Sequence, residues 1–280
     1  MKLSISHIAW PASDEDSYLK YIKEWGCEGV EVAPTRLWPN PAEATREQRR
    51  NFREKVHGFG LEIVALHALL FQRDDLGLFR DSTTEIKTIE YLKRLCELAK
   101  DLGTKVLVVG SPANRRRGNI PFAEALERAV EFFTPIARYA VQLGVCLCIE
   151  PLKPEETDFI TTVQEGHKLI EMIDSPGFGL HLDAKAVNAQ GENFEDILRP
   201  VIKCVKHFHI NNDAKLSELN TSPEVDHVGL AEALRKLHYN RYVNIEMRTS
   251  EDHHQSVRRS IEFARNIYLK EKLLTIKSGK

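Results

Sequence analysis

Four side chains able to hold a hard cation or to move a proton each close a separate apolar run in the second half of the chain: Glu150, Asp183, His209 and Glu246. The runs are CLCIE at 146–150, FGLHLD at 178–183, VKHFH at 205–209 and YVNIE at 242–246, and each reads as a buried strand ending in a ligand-type residue. If these strands are parallel neighbours that finish at one face, three carboxylates and an imidazole converge there. That is an oxygen-rich site for a single divalent cation.

The elements that would position these residues follow a repeating pattern. Short apolar runs alternate with stretches of 3.6-residue periodicity, the βα grammar of a parallel sheet. Strands are expected at 3–8, 29–32, 62–66, 105–109, 145–149, 178–182, 205–210 and 242–246, and helices at 14–25, 45–59, 82–102, 121–143, 163–173, 193–201, 229–237 and 254–274. Eight strand–helix pairs predict an α/β fold closed as a (β/α)8 TIM barrel. Gly60, Gly103 and Gly144 each follow a helix and precede a strand, where a left-handed residue ends the helix. In such barrels the chemistry lies on the C-terminal strand ends, and here those ends carry His7, Glu31, His67 and Ser111 besides the four ligand-type residues.

The chain of 280 residues fits one large barrel, so a single domain over 1–280 is expected, with a loose tail at 276–280. With 39 Lys and Arg against 41 Asp and Glu there is no basic footprint for nucleic acid or an anionic membrane, and no apolar run is long enough to cross a bilayer. The five cysteines, Cys27, Cys96, Cys146, Cys148 and Cys204, form no CxxC pair and read as reduced core thiols of a cytoplasmic protein. Small-molecule chemistry is the remaining class.

At the strand ends the chain resembles the xylose-isomerase-like barrel superfamily, in particular the sugar phosphate isomerase/epimerase proteins related to ketose 3-epimerases. The motifs are IAW at 8–10, GVEVAPT at 29–35, LLF at 69–71, GSP at 110–112, EPLKPEE at 150–156, HLDAKA at 181–186, HFHIN at 207–211 and NIE at 244–246. The resemblance implies one divalent ion on Glu150, Asp183, His209 and Glu246, with Mn2+ expected and Co2+, Mg2+ or Zn2+ as alternatives. It also implies that Glu150 and Glu246 are the catalytic acid/base pair. One would take a proton beside the carbonyl of a ketose or keto-sugar, and the other would return it on the far face of a metal-stabilised enediolate. Glu156, six residues beyond Glu150, matches the family's substrate-holding glutamate. Lys215 stands where the family has an arginine, and Ala186 where it has a histidine. Related barrels form dimers or tetramers, so a homo-oligomer is an expectation of the resemblance.

Other residues are candidates on their own account. His67, ending the third strand, either bonds substrate or is a satisfied barrel histidine. Lys185 and Lys153 follow two ligands on loops and suit a carboxylate, phosphate or enolate. Arg115, the first of an arginine triplet after GSP, suits an anionic substrate, and Trp10, Trp38 and Phe71 suit the wall of a sugar site. His7 and Glu31 read as orienting neighbours or lining the mouth. His181 is read as pointing away from Asp183, and His207 as facing away from its neighbours; both are placed outside the ligand set. EDHH at 251–254 reads as the start of the last helix rather than a metal site. The leading function is a metal-dependent isomerase or epimerase. The alternative is a lyase that dehydrates a keto-polyol or splits a keto-glycoside from the same site, favoured by Ala186. A nuclease of the apurinic-site branch lacks its extra histidines here, and a non-catalytic sugar-binding barrel would bind without proton exchange.

Overall fold

The computed structural model describes residues 1–191, 193–212, 215–220 and 224–270. Eight parallel strands close in chain order: β1 (Lys2–Ser6), β2 (Gly29–Val32), β3 (Glu62–Leu66), β4 (Val106–Val109), β5 (Cys146–Ile149), β6 (Phe178–Asp183), β7 (Val205–Ile210) and β8 (Tyr242–Ile245). Closure is made by β1 against β8, with Lys2 opposite Tyr242 and Ile5 opposite Ile245. All strands therefore point their C-terminal ends at one face, and the expected (β/α)8 barrel is the fold observed.

Around them lie α1 (Glu15–Glu24), α2 (Arg46–Gly58), α3 (Ser82–Leu102), α4 (Phe122–Leu143), α5 (Val163–Ile173), α6 (Ala184–Asn188), α7 (Phe194–Leu198), α8 (His227–Lys236) and α9 (His253–Ala264). Local chemistry explains the sharper ends. Thr45 and Gln48 satisfy each other's backbone at the start of α2, and Thr162 and Glu165 do the same for α5. Gly103 and Gly144 end α3 and α4 with φ of +83° and +69°, a region closed to most side-chain-bearing residues.

Several boundaries differ from expectation. β1 stops at Ser6 rather than 8, because the Ser6 hydroxyl accepts from the Ile8 amide and turns the chain into a short 3-10 segment. α7 is shorter than the expected 193–201. α9 gives way at Arg265–Leu269 to a π turn. The end of the expected last helix and the tail at 276–280 lie outside the described residues. α6 replaces an expected loop, started by Asp183, whose carboxylate accepts from the Ala186 amide at 3.2 Å.

The main apolar core fills the layer between strands and helices. The barrel interior is divided instead. Val64, Ala65, Val106, Val108, Cys146 and Cys148 make an apolar arc on β3–β5, whereas Ser4, Glu31, His181, His207, His209 and Asn244 are buried polar groups on β1, β2 and β6–β8. Buried polar groups persist only when bonded, so the second arc must be a network. No helix among the described residues is long and apolar enough to cross a membrane.

Candidate metal and acid–base centre

Glu31 anchors that network. Its carboxylate, wholly buried on β2, accepts from His209 Nε2 at 2.9 and 3.0 Å, from His207 Nε2 at 3.1 Å and from Asn244 Nδ2 at 2.7 Å. Burial opposes a charge on Glu31, but His209 and His67 beside it and the histidine hydrogen bonds hold its carboxyl well below the usual range. His7 lies nearby, its Nε2 accepting from the Ala33 amide at 2.8 Å.

With Nε2 committed to Glu31, His209 turns Nδ1 toward the strand ends. There Nδ1 is buried without a hydrogen bond, 3.3 Å from Glu246 Oε2. Glu246 Oε1 lies 3.6 Å from His67 Nδ1, and His67 is itself fixed through Nε2 by Ser6 Oγ at 2.8 Å. Asn211 joins two more members, donating to Asp183 Oδ2 at 2.6 Å and to Glu246 Oε2 at 3.1 Å. Glu150 approaches from β5 so closely to the backbone of the next loop that a Cβ on Gly110 would stand 2.3 Å from Glu150 Oε2. A side chain there would have to push the Glu150 carboxylate aside.

His181 and His207 correct the sequence reading. Residues two apart on a strand share a face, and both follow their neighbours inward: His181 Nε2 is 3.6 Å from Glu150 Oε1, its ring centroid 4.1 Å from that of His209. Neither ring nitrogen of His181 has a hydrogen-bond partner among the described residues. His209 thereby belongs to three ligand-type clusters, with Glu31 and His207, with His67 and Glu246, and with Glu150 and His181, each set having its donor atoms within 4.8 Å. Asp183 is held to the group through Asn211.

The electrostatics separate the two glutamates. Burial, with the Asp183 and Glu246 charges, raises the Glu150 carboxyl to about 8. Burial disfavours the Glu246 charge too, but His209 and His67 hold it well below the ordinary carboxylate range. Burial and the neighbouring Glu246 charge raise Asp183, against Lys185. His209 is raised well above an ordinary imidazole, because Glu31 and Glu246 outweigh its burial. These residues fit a divalent cation: an unsatisfied inward imidazole nitrogen stands beside carboxylates whose mutual repulsion a positive ion would relieve.

The outer candidates fare unequally. Glu156 and Lys185 line the cavity above the centre, Lys185 Nζ lying 3.5 Å from Glu156 Oε1 and 3.8 Å from Asp183 Oδ2. Lys185 rides on α6 rather than on a loop, and four carboxylates overcome its burial and raise its ammonium. Arg115 is not in the cavity wall. Its guanidinium is buried, donates to the Glu150 carbonyl at 2.5 Å and is lowered to about 10 by burial against the pull of Glu150 and Glu156. It braces the end of β5 instead of gripping a ligand. Lys215 is exposed beside Leu216, which does line the cavity. Trp10 stacks on Tyr18 and Trp38 packs edge-on to Phe52, so both are packing residues, whereas Phe71 lines the mouth. Asp252 precedes α9 without a side-chain capping bond, and His253 bonds Tyr18, so EDHH opens a helix as expected but does not cap it. Asn211 and Asn244 had no role in the sequence reading; their signal was position, two residues beyond or before a ligand on an alternating strand.

Known proteins share this arrangement of elements. D-psicose 3-epimerase of Ruminiclostridium cellulolyticum is 24% identical over 249 residues, covering 88% of this chain and 83% of that protein. The crystal structure of a D-psicose 3-epimerase in the presence of D-fructose superposes with a TM-score of 0.80 at 18% identity, over 96% of this chain and 99% of the other. A 3-keto-D-glucoside 4-epimerase from E. coli gives 0.79 at 20% identity, over 95% and 99%. At these identities the structural likeness speaks for the fold. The match that spans residues 19–267 places the chain by descent: it belongs to the xylose isomerase-like TIM barrel family.

Proposed function

We propose that the chain is a divalent-metal-dependent isomerase or epimerase that moves a proton beside the carbonyl of a ketose or keto-sugar. The observation carrying this reading is the pairing of Glu150 with Glu246, two cavity-lining carboxylates that each join His209 in a ligand-type cluster. The D-psicose 3-epimerase at 24% identity supports the choice of substrate class.

Glu150, Asp183, His209 and Glu246 would hold the cation, Mn2+ in our reading, and when bound it supplies positive charge for the oxygen anion that grows as the proton leaves. Removal of that proton falls to one glutamate and its return on the opposite face of the enediolate to the other, which inverts the centre. Glu156 takes substrate hydroxyls, His67 presents a ring already fixed by Ser6, and Lys185 adds a fixed positive charge beside the reacting oxygens. Lys215, at the rim, is assigned to an anionic substituent if the substrate carries one.

The test is incubation of Mn2+-loaded protein with ketoses and keto-sugars in D2O, followed by NMR. Deuterium in a recovered stereoisomer is the expected result. An unsaturated product would replace the epimerase with a lyase, and binding without exchange would leave a sugar-binding barrel.

A further inference from the structure

The cavity is larger than the chemistry needs. Its volume is about 930 Å3, near the upper end of the range for small-molecule sites, roughly 300–1,000 Å3, of which a single sugar ring fills a fraction. The four residues proposed to hold the cation come from the ends of β5–β8. The loop after β3, the strand diametrically opposite β7 in the closed barrel, walls the far side.

That loop is built to hold an aromatic ring in the open. His67 belongs to the centre, Leu69 and Leu70 are buried anchors, and the next residue, Phe71, is 56% exposed on the cavity wall. Ala68 and Gln72 bracket the segment with φ of +51° and +59°, a left-handed conformation costly for residues other than glycine. Tight turns lock it, Phe71 N bonding Ala68 O and Arg73 N bonding Leu70 O, both at 3.1 Å. Just beyond the ring, the side chains of Gln72 and Asp74 line the same cavity, and across it so does that of Arg248; none of the three has a hydrogen-bond or ion-pair partner among the described residues. An exposed flat apolar face edged by unused donors and acceptors matches a pyranose or furanose, whose C–H face is apolar and whose rim is hydroxylated.

We propose an outer subsite, centred on Phe71 with Gln72 and Asp74, that stacks a second sugar ring, so that the preferred substrate is a glycoside of the keto-sugar rather than the free monosaccharide. This rests on the reading of the centre given above and specifies its substrate class.

The experiment compares kcat/KM for a keto-sugar and for its glycoside in metal-loaded wild type and Phe71→Ala, alongside calorimetric binding of the non-reacting glycoside whose ketone has been reduced to an alcohol. The expected result is a wild-type preference for the glycoside that Phe71→Ala reduces about tenfold, with a matching loss in affinity for the reduced glycoside and little change for the monosaccharide. Asp74→Asn, at an exposed position, should weaken the glycoside alone as well. Equal turnover of both substrates by the wild type, or an equal loss on both in Phe71→Ala, overturns the subsite while leaving the function of the centre standing. Absence of proton exchange with either substrate overturns that function, and binding of the reduced glycoside that still depends on Phe71 would then preserve the subsite by itself.

Discussion

His209 is the residue on which the site turns, and Glu31 is what fixes it. Both Glu31 oxygens take His209 Nε2, which leaves Nδ1 as the free donor pointing at Glu246. A partner on the far nitrogen of a ligating imidazole sets its tautomer and orientation. Glu31→Gln should therefore weaken Mn2+ binding about 10- to 100-fold without altering the circular dichroism spectrum, as read by calorimetric titration. Unchanged affinity would mean that His209 is positioned by packing alone. The four ligand-type residues were legible in the sequence because each ends an apolar run, a signal that survives errors in boundaries. Their supports were less so: Asn211 and Asn244 are ordinary strand-end amides until the register shows what faces them, and His181 and His207 were assigned the wrong face although the two-residue period places them with Asp183 and His209.

At the level of elements, loop and strand geometry decides how near the carboxylates come. Just past the end of β4, a Cβ on Gly110 would stand 2.3 Å from Glu150 Oε2. Gly110→Ala should displace the Glu150 carboxylate and cut kcat by about 100-fold, the scale expected for a small misplacement of a reacting group, while the Tm falls little. Retention of full turnover would show that Glu150 works from another position. The eight strands and most helices could be read from periodicity, since burial on both faces and amphipathic helices leave strong patterns. α6 could not: its helix is one short turn after Asp183, and a carboxylate expected to be a ligand serves at the same time as its cap. Arg115 was misread for a related reason, because exposure on a loop and burial beneath it look alike in sequence.

The whole barrel ties these elements together through buried polar contacts outside the site as well. His227 on α8 bonds Tyr268 at 2.7 Å and Asn212 at 3.1 Å, linking the loop after β7 to the turn after α9. Burial lowers its imidazole from 6.5 to about 4. Because the folded value is the lower one, the unfolded chain takes up the proton first: this contribution is complete above pH 6.5 and is lost as pH falls through 4. The loss reaches about 3 kcal/mol in urea unfolding at acid pH, and His227→Gln should flatten that part of the profile; an identical slope in the variant would contradict the assignment. The central claim is that one cation centre lets two unequal glutamates act on opposite faces of one substrate, and a single variant tests it most directly. Mn2+-loaded Glu246→Gln, with a ketose turned over by the wild type, is followed in D2O by NMR with the metal content measured in parallel. An amide can still offer its carbonyl oxygen to the ion but cannot accept the proton. The account predicts retained metal and deuterium entering the starting sugar through Glu150, with almost no epimer formed; epimer appearing at the wild-type rate, with metal still bound, would contradict it.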